Sequence, residues 1–194
     1  MIDLYEKLYV YGLPMKPVGI ALGLFLILSH GFALIRPASA QRFLKSFPRN
    51  KVIGVVLLVI AAAWTWFLVR NMDMGEFFKW RNRLLILIPL GAVLMALYAD
   101  EFLSVRALGC ILLLTCAIIL RSAFLKDPWI PKLLLPILSY VWIIFGLFWV
   151  GMPYLMRDGI SWVTQNAGRL KIASGLGVAY GIALIAVAAT QYTT

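Results

Sequence analysis

Six stretches of this chain run nearly free of charge over the distance needed to cross a bilayer, and nothing else in it limits the fold so strongly. They cover residues 18–35, 52–69, 84–98, 102–120, 133–150 and 172–189. A helix rises 1.5 Å per residue, so a hydrocarbon core about 30 Å thick takes about 20 residues. In lipid every backbone N–H and C=O must be paired inside the structure, which leaves helices or closed barrels. These runs are continuously apolar rather than alternating, so they specify helices. Composition agrees: 63% of residues are hydrophobic and 13% charged, with a mean hydropathy of +0.92. A soluble domain sits nearer 45–50% and 25%. The predicted fold is therefore all-α, a polytopic membrane helical bundle of about six transmembrane helices. Residues 1–194 read as a single integral membrane domain, with no stretch resembling a separate soluble one.

The first sixteen residues do not read as a cleavable leader. Asp3 and Glu6 stand where a leader is positive, and Pro14 and Pro17 interrupt before any apolar run. Ile2, Tyr5, Leu8 and Tyr9 fall at helical spacing, which predicts a short interfacial segment. Cys110 and Cys116 share one apolar run. Six residues apart on a helix they point about 120° away from each other, which argues against a disulfide or a shared metal.

The net charge of +10 is spread through the connectors between apolar runs, whereas a nucleic-acid binder gathers it on one soluble face. Nucleic acid is therefore not expected as a partner; the lipid bilayer is. Arg36, Arg42, Lys45, Arg49 and Lys51 crowd the first connector, where they suit anionic headgroups. Phe43, Leu44 and Phe47 interleave with them, so part of this connector should lie as an amphipathic segment on the membrane. The positive-inside rule puts that connector in the cytoplasm and both termini outside, in a multi-pass protein of a bacterial inner membrane. The full count of Lys and Arg, 18, divides evenly between the two sides, so orientation rests on the first connector.

The even-numbered spans open alike. Lys51 precedes Gly54, Arg106 precedes Gly109, and Lys171 precedes Gly175. The first and third pairs also share a proline after an apolar run (Pro37, Pro153) and an arginine soon after it (Arg42, Arg157). The pattern fits three related helical hairpins, with chance resemblance as the competing account.

Apolar helices gain little in lipid by hiding apolar faces, so close contact depends on small residues. Gly19 and Gly23 make a GxxxG pair, and Ala173, Gly177 and Gly181 repeat that spacing in the last span. They mark either a dimerisation face or packing within the chain, the second being the commoner use. Trp142, Phe145 and Trp149 share one helix face and suit either the flat tail of a cofactor or a neighbouring helix. Trp80, Trp129 and Trp162 fall near span ends, as in an aromatic belt. His30, the only histidine, lies inside the first span. It reads as a lone axial ligand for a haem or chlorin, or more simply as an interhelical hydrogen-bonding group.

Chemistry is otherwise sparse. Every Asp and Glu falls in a connector or at a span edge, against the habit of ion-coupled transporters. No HExxH, P-loop, GxSxG or Cys/His cluster is present, so no metal site or catalytic residue is assigned and an enzyme is the least expected class. The leading expectation is a non-catalytic accessory or structural subunit of a larger membrane complex, partnered by other membrane proteins or by itself. The alternatives are a channel or carrier for a small or lipid-like solute, and a pigment- or haem-holding subunit of an electron-transfer or light-harvesting assembly.

Overall fold

The structure is a computed structural model and describes residues 2–98, 101–124 and 133–192. Asp100, Lys126, Asp127, Trp129 and Lys132, which bear on charge and aromatic placement, lie outside the described residues. Nine α-helices follow in order among those that are described: α1 (Ile2–Tyr5), α2 (Met15–Ile35), α3 (Pro37–Ser46), α4 (Lys51–Asn71), α5 (Arg81–Tyr98), α6 (Leu103–Phe124), α7 (Leu134–Gly151), α8 (Tyr154–Thr164) and α9 (Ala167–Thr190). Six of them, α2, α4, α5, α6, α7 and α9, are long and apolar enough to cross a membrane, and this is a multi-pass membrane protein of all-α fold. The helices overrun the apolar runs by a few residues. Pro17, expected to bound the first span, sits in the first turn of α2, where a missing N–H costs no helical bond.

A second kind of helix joins the spans. α3 and α8 are short, polar on one side, and follow the same backbone break. Arg36 (φ −126°, ψ 65°) ends α2 before Pro37, and Met152 (φ −128°, ψ 69°) ends α7 before Pro153. Proline removes the N–H that would carry the first helix onward and favours an extended residue before it, so each span stops and the chain turns along the membrane surface. Each short helix is followed by an extended asparagine that caps the next span. Asn50 accepts from Ile53 N–H at 3.0 Å and Asn166 from Gly168 N–H at 2.8 Å. The interval from break to cap is the same, 36 to 50 and 152 to 166. Thus α2–α3–α4 and α7–α8–α9 share one backbone pattern, and the middle pair, α5 and α6, lacks the short helix.

Packing does not follow the sequence pairs. A short helix laid along the surface separates its two spans by roughly 15 Å, beyond the 8–10 Å of packed helices. The first span instead packs along the last, α2 on α9, while α6 packs against both α4 and α7. α6 is the central strut, with nine buried residues, Leu103 and Cys116 among them. Met15 and Leu26 of α2, Ile119 of α6, Leu135 of α7 and Leu184 of α9 form the main core. A smaller one joins Leu58 of α4 to Leu103 and Ala107 of α6, with Ala92 and Met95 of α5 resting on it. α5 is the outermost span and contributes no buried residue.

The N-terminal segment, expected to be interfacial, is docked across one end of the bundle. α1 continues as a π-helical turn, Glu6–Val10. Tyr9 Oη accepts a hydrogen bond from Trp64 Nε1 on α4, and Arg121 Nε on α6 donates to Val10 O at 3.0 Å.

Candidate functional site

The glycines of α2 and α9 meet each other. A Cβ placed on Gly23 would stand 2.8 Å from Gly181 O and 2.6 Å from Ile185 Cγ1, and one on Gly181 would stand 2.8 Å from Gly23 O. Gly19 lies equally close to Ala188, at 2.9 Å. Only missing side chains let these backbones touch, and each contact lies within one chain. Ala173 does not join them. The buried stripe of α9 runs through Leu170, Ser174, Gly181, Leu184 and Ala188, and Ala173, one position off, is exposed.

His30 caps this seam. Leu26 O can only accept, so the 3.0 Å contact fixes the proton on His30 Nδ1, with Ser29 Oγ also 3.2 Å away. The ring lies flat against Gly177: a Cβ there would sit 2.2 Å from His30 Cδ2 and 2.6 Å from Nε2. One face of the ring is therefore covered by the backbone of α9, and Gly177 has no room for a side chain beside it.

The aromatic stripe of α7 divides. Trp142 turns inward and meets Phe25 of α2 edge-on at 6.3 Å, whereas Phe145 and Trp149 stack on each other at 5.7 Å, with Phe145 exposed. A second close crossing, missed in the sequence, lies beside Trp149. A Cβ on Gly109 of α6 would reach Gly146 O of α7 at 2.9 Å. Neither glycine has a partner four residues away, so the GxxxG spacing does not mark them. Gly54 likewise lies 2.8 Å, measured to a Cβ, from Ser104 N at the α4–α6 contact.

Two features remain open at the surface. One is a groove of about 650 Å³ between α4 and α5, lined by Val59, Ala62, Ala63 and Trp66 on one side and Ile88, Pro89, Ala92 and Val93 on the other. It is apolar throughout because Ala62, Ala63 and Ala92 are short and Pro89 interrupts the α5 ladder. Arg70 stacks over Trp66 at the groove's end, 5.1 Å from the ring centroid. Trp80 and Trp162 likewise carry arginines on their rings, Arg83 and Arg169.

The other is polar. Of the expected headgroup cations, Arg36 and Lys51 are exposed at helix ends and Arg42 is exposed along α3. Lys45 and Arg49 instead join Arg157 around clefts where α3 meets α8. Among the described residues no carboxylate is buried, and no group of three His, Cys, Asp or Glu is placed to hold a metal.

Comparison with protein families, curated proteins and solved structures finds no match to this chain.

Proposed function

We propose that this chain is a non-catalytic membrane subunit whose α4–α5 edge docks against another membrane polypeptide. The observation that carries the reading is α5: a full span with no buried residue, beside a groove floored by alanines. Groups of small residues are what allow a foreign helix to approach in lipid. The glycine seams cannot play this part, since Gly23 with Gly181 and Gly109 with Gly146 already hold the chain's own helices together. The carrier reading draws on the same groove, because Pro89 breaks the α5 ladder beside it. It has less behind it, since no described carboxylate is buried to couple transport to an ion. The pigment-holding reading rests on His30, whose ring is engaged with Leu26 and Gly177. Enzymatic action is the weakest reading, since no HExxH, P-loop or GxSxG pattern stands in the sequence to support it.

The test is native mass spectrometry of the protein extracted gently from its own membrane, for the wild type and for Ala62→Phe and Ala92→Phe, which fill the groove. A co-purifying polypeptide that both variants lose, with their melting temperatures kept, supports docking at this edge. A bare chain of 21.7 kDa from the wild type, or a partner that survives both substitutions, refutes it. A bound haem or pigment mass lost on His30→Ala would move the assignment to a cofactor subunit. We place the protein in a bacterial inner membrane with its termini outside, on the strength of the cations between α2 and α4. Reporter fusions at Asn50 and at the C-terminus should give opposite sidedness, with Asn50 cytoplasmic.

A further inference from the structure

The two short helices that share this backbone pattern meet where α3 touches α8, and that junction is a polar site. α3 runs into a tight turn, Phe47–Arg49, whose Phe47 and Pro48 are buried. Ser104 Oγ at the start of α6 donates to Phe47 O at 2.7 Å and fixes the turn. Arg49 therefore projects from a rigid base. Opposite it on α8, Arg157 is oriented by its neighbour: Nε and Nη2 each lie 2.8 Å from Asp158 Oδ1. A guanidinium has five N–H donors, so three of Arg157's stay free.

Arg49 and Arg157 form a wall common to two clefts. The first, about 530 Å³, adds Lys45 and Ser161, giving three cations and a hydroxyl. The second, about 720 Å³, adds Glu101 and Phe102, a carboxylate beside an aromatic ring. Phe102 is the sole described non-glycine residue in the left-handed region, at φ +59°, a conformation that costs about 1 kcal/mol or more. This backbone sets its ring 5.8 Å beneath the Arg157 guanidinium. An anion-binding wall with an ammonium-binding corner beside it matches one class of ligand.

We propose that the α3–α8 junction binds the headgroup of an amine-bearing phospholipid, with its phosphate on Arg49 and Arg157 and its ammonium at Glu101. Arginine pairs are suited to phosphate because the planar fork donates to two oxygens at once. Lys45 and Ser161 reach the phosphate from the first cleft, and the acyl chains continue down the lipid-facing sides of the bundle. The site shares no lining residue with the α4–α5 groove and does not rest on what docks there.

The test is native mass spectrometry of the delipidated full chain, titrated with phosphatidylethanolamine or phosphatidylglycerol of the same chains. The wild type should retain the ethanolamine lipid more tightly. Arg49→Gln with Arg157→Gln should weaken both lipids about tenfold or more, the loss expected on removing charged hydrogen-bond donors. Glu101→Gln should weaken the ethanolamine lipid alone and erase the preference. Lys79→Gln with Arg83→Gln, at the opposite membrane face, controls for lost charge and should change neither. Equal retention of the two lipids by the wild type, an unchanged preference in Glu101→Gln, or equal losses in the control would overturn the assignment. Soluble phosphoethanolamine serves as a further arm: if it displaces bound lipid at matching concentration, the ligand is a soluble phosphate ester and the lipid assignment falls.

Discussion

If the α2–α9 seam holds the first span in place, a single methyl at Gly23 should damage the protein while the same methyl at Gly31 should not. Both glycines lie in α2. An alanine Cβ at Gly23 meets Gly181 O at 2.8 Å and Ile185 Cγ1 at 2.6 Å, whereas nothing lies within 4 Å of one at Gly31. A carbon–oxygen contact settles near 3.3–3.6 Å, so the two backbones must part by roughly 0.5–0.8 Å. A gap of that size forfeits about a quarter to a half of each dispersion contact along the seam. Overpacking of this kind costs about 1–3 kcal/mol. At Gly31 only helix propensity acts, and it favours alanine by about 0.8–1 kcal/mol. The same propensity gain applies at Gly23, so the two variants should differ by the overpacking cost, roughly 1–3 kcal/mol, readable by denaturant titration in micelles through tryptophan fluorescence. Gly23→Ala combined with Gly181→Ala should cost less than the sum, because the second methyl enters a seam already opened. Equal stabilities for Gly23→Ala and Gly31→Ala, or strict additivity of the pair, would refute the seam.

Gly177→Ala should destabilise the wild type by displacing the His30 ring but be tolerated in a His30→Ala background, a coupling that a double-mutant cycle measures. Ser104→Ala should cost about 1 kcal/mol, because Phe47 O loses the hydroxyl but keeps the Asn50 N–H at 3.1 Å, and chemical denaturation in detergent would read it. Trp64→Phe should cost about 1 kcal/mol and speed hydrogen exchange over residues 2–10, by removing the donor to Tyr9 Oη. Burial raises the Tyr9 phenol above its ordinary 10.0. Its contribution to docking is thus complete below about pH 10 and lost as pH climbs through the raised value, so the N-terminal segment should release in strong alkali and show no change between pH 6 and 9. Tyr9→Phe should abolish that alkaline step.

The spans were legible because hydrocarbon thickness is written directly into apolar length, and all six appear within a few residues of the predicted ranges. The basic, aromatic-interleaved connector likewise foretold α3. α8 was harder. Its charges, Arg157 and Asp158, neutralise each other, so no run of one charge marked the stretch. Which helices touch was the least visible layer. Gly19 and Gly23 announced a close approach, but spacing along one helix carries no record of its partner, and α9 lies at the other end of the chain. Gly146 gave no spacing signal at all, and Gly109 stood out only by its place after Arg106. His30 looked like a site because it is the only histidine. Its place against Gly177 depends on a neighbour that one-dimensional reading could not supply.

The pairing of α2 with α9 also sets a timetable. About 160 residues separate Gly23 from Gly181, and at 5–20 residues per second the ribosome needs roughly ten to thirty seconds to make them. Throughout that interval α2 sits in the bilayer with its glycine face bare, beside whatever other nascent spans are present. The seam can form only when synthesis is nearly over. An intermediate stalled before α9 would expose the surface best shaped to capture a stray helix, which makes the last span the step that commits the chain to its fold.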